Sequence, residues 1–234
     1  MELVFSFQSS TLGKVKKSVR DRIINKAEEL FFRYGIKSVT MDDIARELGI
    51  SKKTIYLHFP DKDSILLVVV ERHLDCDRQE AAQMHKLAID PIAEMVWSSE
   101  MMKQQLVGIN PTLLFDMKKY HPAAWAVFEL HKRDFFLNII RINLTKGVEM
   151  GLYRSDLNIE VIARLHLEEI ELCFNPDVFP PRQFNIITTQ LALLDHFIRG
   201  AVTSNGLDLY EKYRQKPPNI TVQPLSYQTD SLSN

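Results

Sequence analysis

Two residues apart, Gly49 and Ser51 form the tightest constraint in this sequence: the first stops a helix and the second starts another. Upstream, Thr40 opens a segment with Asp43 three residues on, a shortened capping box, and Met41, Ile44, Ala45 and Leu48 form its apolar stripe. Downstream, Ser51 is an N-cap for a short helix in which Ile55 and Phe59, four residues apart, face inward, and Pro60 closes it. Lys52, Lys53, Thr54, Tyr56 and His58 are left for the outer and flanking faces. Two helices joined by only Leu-Gly-Ile-Ser, the second short and cationic, make a helix-turn-helix whose second helix fits the major groove of B-DNA.

Charge supports a polyanionic partner for this part of the chain. Residues 1–62 carry twelve lysines and arginines against eight carboxylates, a surplus of +4 inside a 234-residue chain of net charge −1. Lys52, Lys53 and Thr54 stand at the helix start, the end presented to base edges, while Tyr56 and His58 reach towards phosphate oxygens. Lys62 opens the following helix, where free N–H groups already favour an anion, and reads as a further phosphate contact.

The run from Thr40 to Lys62 resembles the signature of the TetR family of transcriptional regulators. Thr40, Ile44, Ala45, Gly49, Ser51, Thr54, Tyr56, Phe59 and Lys62 all fall on that family's register; Leu48 replaces its usual small residue before the glycine. The resemblance covers about 45 residues. It implies a homodimer that binds double-stranded operator DNA through Thr40, Ser51, Lys52, Lys53, Thr54, Tyr56, His58 and Lys62. It also implies a ligand-responsive second domain, and so a repressor released by a small apolar or amphipathic molecule.

Around this unit the chain reads as all-α. Val19, Ile23, Ala27, Leu30 and Tyr34 recur at helical spacing with Gly35 at the end, giving a first helix. Beyond Asp63 there is no strand-like alternation, and breaks fall near Asp90-Pro91, Asn110-Pro111, His121-Pro122, residues 151–158 and residues 175–181. The stretch 122–150 reads as one helix of about eight turns. The expected organisation is a flexible arm over 1–17, a DNA-binding unit over 18–64, a helical ligand-binding and dimerisation domain over 65–215, and a Pro/Ser/Thr-rich tail over 216–234.

Aromatic and methionine side chains between 95 and 136 are read either as plain core or as the wall of a ligand cavity. On the second reading Trp97, Phe115, Trp125, Phe128 and His131 are the ligand-binding candidates. Phe184, Ile187, Leu191, Leu194 and Ile198 recur along a helix expected over 182–204, and the TetR resemblance makes that helix and one over 158–174 the dimer helices. His166, Glu168, Glu169 and Glu171 invite a metal site, but a solvated acidic face or a polar spot at a dimer seam is the better reading. No phosphate loop, nucleophile elbow or paired-cysteine motif appears, so no catalytic residue, metal ligand or cofactor is assigned. The rival is a helical-bundle enzyme or carrier that keeps the helix-turn-helix only as packing. Cys76 and Cys173 are far apart and read as free thiols, and no apolar run is long enough for a membrane span, so the expected location is cytoplasmic.

Overall fold

A computed structural model describes residues 18–217; the arm expected over 1–17 and the tail from 218 onward lie outside the described residues. Those described fold into helices throughout, with no strand among them beyond an isolated bridge between Tyr153 and Val202. Helix α1 (Val19–Tyr34) is opened by a full capping box, in which Ser18 accepts from the Asp21 amide and the Asp21 carboxylate accepts in return. Helices α2 (Met41–Leu48) and α3 (Lys52–Tyr56) follow, and then α4 (Lys62–Leu87), capped by Asp61. The rest of the chain supplies α5 (Pro91–Leu106), α6 (Leu113–Tyr120), α7 (Pro122–His131), α8 (Leu137–Glu149), α9 (Ile159–Leu172), α10 (Ile186–Ala201) and α11 (Ser204–Gln215).

Several expectations change in detail. Helix α3 stops at Tyr56, one turn short of Phe59, yet Phe59 remains buried because its amide still bonds to the Ile55 carbonyl and its ring joins the same core. The expected helix from Pro122 is continuous to Glu149 but contains a π-helical turn, Lys132–Phe136, between α7 and α8. Helix α10 begins only at Ile186, capped by Asn185, so Phe184 lies in the preceding loop and is exposed. The helix that periodicity ran on to 204 ends at Ala201: Val202 turns extended, Tyr153 pairs with it, and Thr203 caps α11, a helix the pattern did not reveal.

The stripe expected to lie open on α10 is also corrected. Leu194 and Ile198 are buried, Ile198 completely, against Ile92, Leu144 and Phe197 of the chain's own core, while Ile187 and Leu191 are only partly covered. Periodicity identifies an apolar face without saying what covers it, and α10 packs on α5 and α9 of its own chain.

Two hydrophobic cores result. The first joins α1, α2, α3 and the start of α4 to Met117 of α6 and Ala124 of α7. The second joins α5, α8, α9, α10 and α11. A buried polar network fastens the second core. Tyr153 donates to Asn143 Oδ1 at 3.0 Å, Asn143 Nδ2 donates to the Pro91 carbonyl and to Glu94, and Tyr213 donates to Asp90 at 2.6 Å. Every member has a partner, as buried polar groups require.

Tyr153 fits only because residue 147 lacks a side chain: a Cβ added there would lie 1.9 Å from the Tyr153 ring. Gly147→Ala should therefore destabilise the fold by about 1–3 kcal/mol through overpacking, a drop of several degrees in melting temperature. An unchanged melting temperature would show that the ring can move aside.

Candidate functional site

The turn between α2 and α3 is built by local chemistry. Thr40 accepts from the Asp43 amide, while the Asp43 carboxylate accepts from the Thr40 hydroxyl at 2.6 Å and from the Thr40 amide at 2.9 Å; these last two bonds, with the neighbouring Arg46, pull the Asp43 carboxyl down to about 2. Gly49 takes φ +63°, ψ +31°, the left-handed conformation that glycine adopts at least cost. Ser51 then accepts from the Thr54 amide at 3.1 Å, and the two hydroxyls lie 2.9 Å apart. Ile55 and Phe59 bury one side of α3, which leaves Lys52, Lys53, Tyr56 and His58 exposed and Thr54 partly so.

The cations of this face differ in how free they are. Lys52 donates to Asp42 at 2.8 Å and so ties α3 to α2, whereas Lys53 has no partner among the described residues. Lys62 is placed differently from its expected role as a phosphate contact. Its partly buried ammonium donates to the Ile36 and Val39 carbonyls at 2.9 and 3.0 Å, leaving one of three protons uncommitted. Those carbonyls lie between α1 and α2, so Lys62 pins the start of α4 to the helix-turn-helix.

A second feature lies deeper. Where the two cores fail to meet, a cavity of about 360 Å³ opens, lined from the first core by Phe32, Leu66 and Met117 and from the second by Met95, Ile140 and Leu194. Of the five residues expected at a ligand site, only Phe128 lines it. Trp97 is buried elsewhere, Phe115 lies beneath Lys119, and Trp125 carries the Lys118 ammonium over its ring at 4.9 Å while packing on Phe128. His131 sits with its centroid 4.8 Å from both Phe135 and Phe136, neither ring nitrogen has a hydrogen-bond partner, and burial brings its pKa down to about 4. Aromatic content marks apolar surface, but the helix rotation that aims a ring at the cavity depends on the neighbouring helices.

The residues missed are polar ones on α4 and α5. Along α4 the lining residues Leu66, Val69, Val70, His73, Asp77, Glu80 and Met84 keep to one helical face and pass from apolar to acidic. That shift within a single stripe is visible in the sequence. Burial lowers the His73 pKa to about 4 and raises the Asp77 carboxyl to about 7. Across the cavity buried Lys132 donates to Glu171 at 2.5 Å and to Glu168 at 3.0 Å. Burial alone would lower the lysine's pKa, but these bonds outweigh it and raise the value. The acidic run of α9 is thus the counter-charge of a buried lysine, while His166 stacks on Phe197 at 3.9 Å; no metal-holding cluster occurs among the described residues.

One helix joins the two features. Helix α4 starts at Lys62 on the helix-turn-helix and continues as a wall of the cavity. Asp63 lies 2.7 Å from His121 at the start of α7, and Arg72 bonds Asn25 and Glu28 of α1.

Asp77 makes the cavity pH-sensitive in stability. Its folded value of about 7 lies above the 3.8 of the free group, so the native state holds the proton longer and the stability Asp77 contributes is lost as pH rises from about 4 to about 7, opposite in sign to the contributions of His73 and His131. Asp77→Asn should match the wild type near pH 4 and melt a few degrees higher above pH 7. A constant difference across that range would remove Asp77 as the titrating group.

The model of bacterial regulatory proteins of the tetR family matches residues 23–69. An HTH-type transcriptional regulator of Staphylococcus aureus (strain MRSA252) is 42% identical over 182 residues, covering 68% of this chain and 98% of the relative. The fold is also that of a TetR-family regulator from Agrobacterium tumefaciens (TM-score 0.67, 17% identity, 79% of this chain and 97% of that one). A transcriptional regulator from Saccharomonospora viridis, solved in complex with choline, is similar too (TM-score 0.64, 23% identity, 79% and 97%). Such relatives are regulators and not enzymes, which sets aside the reading of a bundle enzyme. No helix among the described residues is long and apolar enough to cross a membrane. The chain belongs to the TetR family of transcriptional regulators, and its amino-terminal helix-turn-helix is a DNA-binding domain.

Proposed function

We propose that this protein is a homodimeric repressor that leaves its operator when a small amphipathic ligand enters the cavity between its two cores. The observation that carries this reading is the course of α4, which begins on the helix-turn-helix and lines the cavity further along. A ligand that rotates or shifts α4 displaces the recognition unit through Lys62, whose ammonium holds the Ile36 and Val39 carbonyls. A dimer must present two recognition helices to successive major grooves about 34–36 Å apart, so a modest displacement removes the match. The ligand must favour the non-binding arrangement, since equal affinity for both shifts nothing.

Within the reading head, Lys53, Tyr56 and His58 have exposed side chains and are the principal DNA contacts, with Lys52 available once it leaves Asp42. Thr40, Ser51 and Thr54 hold the turn and offer their remaining hydroxyl capacity to phosphates. An operator selected from random DNA should be released by an amphipathic ligand that also raises the melting temperature. Lys53→Ala should cost about 1–3 kcal/mol of discrimination against non-operator DNA and much less in non-specific binding. Equal loss on both kinds of DNA would make Lys53 a phosphate contact.

The homodimer is proposed through α9 and α10. Val161, Leu165 and Leu172 lie on one exposed face of α9, and Thr188, Ala192 and His196 form an exposed face of α10 with small residues that permit close approach. The three α9 residues give this surface exposed apolar side chains that a second copy would cover. Val161→Glu with Leu165→Glu should turn a dimer into monomers or aggregates by light scattering; an intact dimer would place the interface elsewhere.

A further inference from the structure

The charge pattern of the cavity identifies the chemistry of its occupant more closely than its apolar walls do. Its lining contains four carboxyl side chains, Asp77, Glu80, Glu94 and Glu171, against a single ammonium, Lys132. That ammonium already bonds Glu171 and Glu168, and Lys118 also donates to Glu171, so this corner is internally neutralised. The other three carboxyls stand on the α4 and α5 wall. Glu80 accepts from the Gln105 amide at 3.1 Å and Glu94 from the Asn143 amide at 2.9 Å, and Glu94 also has His85 at 3.4 Å. Asp77 has no hydrogen-bond partner among the described residues, and burial holds its carboxyl at about 7, where an arriving cation would decide its ionisation.

We propose that the cavity takes a lipophilic monocation, an amine or quaternary ammonium on an apolar body, with its charge seated on the α4–α5 wall beside Asp77 and Glu80. The proposal rests on the reading of the cavity as the effector site. An anionic amphiphile would bring like charge against that wall and find its one ammonium already committed. A neutral one would leave Asp77 without a partner. A cation meets the carboxyls and also the rings of Phe32, Phe128, Phe136 and Phe174, which line the same space and whose faces attract positive charge. Methionines 84, 95, 101 and 102 line it as well and adapt to the shape of an apolar body.

Three ligands of one chain length separate the possibilities: n-decyltrimethylammonium, n-decanol and n-decanoate, titrated calorimetrically into the full-length protein below micelle-forming concentrations. The cation should bind at least tenfold more tightly than decanol, and decanoate more weakly than either. In Asp77→Asn with Glu80→Gln the cation's advantage should shrink to less than about threefold while decanol binds as before, which also shows that the cavity has kept its shape. Decanol or decanoate binding the wild type as tightly as the cation would overturn the proposal while leaving an effector site. An advantage undiminished in the variant would overturn the assigned seat. No binding by any of the three would remove the effector site and this proposal together.

Discussion

Everything in this molecule depends on the incomplete meeting of two hydrophobic cores. One is closed by α1 to α3 around Phe31, Ile44 and Ile55, and the other by α5 and α8 to α11 around Ile92, Leu144 and Ile198. Protein interiors ordinarily pack without voids much larger than a water molecule, so a gap of about 360 Å³ is not what helix packing alone would leave. Deleted core volume costs roughly 24 cal/mol per Å³, which puts a fully dry void of this size on the order of several kcal/mol. Carboxyl and imidazole groups in its wall can hydrogen-bond water, which lessens that penalty.

Electrostatics then differentiates the two ends of the protein. The reading head keeps its cations on the surface, where Lys53 is uncommitted and Lys52 is held only by an exposed pair with Asp42, the weak kind of ion pair that another anion can displace. Inside, the balance is reversed: carboxyls outnumber ammonium groups around the cavity, and the buried lysine is fully engaged. Helix α4 spans both environments. Its first residue is fixed to the helix-turn-helix by two hydrogen bonds to carbonyls, and further along it presents Asp77 and Glu80 to the cavity.

Much of the fold could be read from residues whose effect is local. The Thr40–Asp43 box, the helix stop at Gly49 and the Ser51 cap are all where the sequence placed them, because each depends on bonds within three or four residues. Helix α11 escaped notice because its buried residues, Gly206, Tyr210 and Tyr213, are interspersed with charge, and its start depends on Val202 pairing with a tyrosine about fifty residues earlier. Phe184 looked like part of a helical stripe, yet the Asn185 cap begins the helix after it.

The sequence by itself determined the helical class and the reading head, since N-caps, a positive-φ glycine and donors on a short helix act through neighbours in the chain. It determined the family too, through a motif whose spacing is local. Only the tertiary structure decided that Lys62 bonds carbonyls, that Leu194 and Ile198 are spent on the chain's own core, and that Phe128 reaches the cavity while Trp97, Phe115, Trp125 and His131 do not. Each of these depends on how a helix is rotated against partners far away in sequence, and a helical period specifies a face without specifying what that face meets.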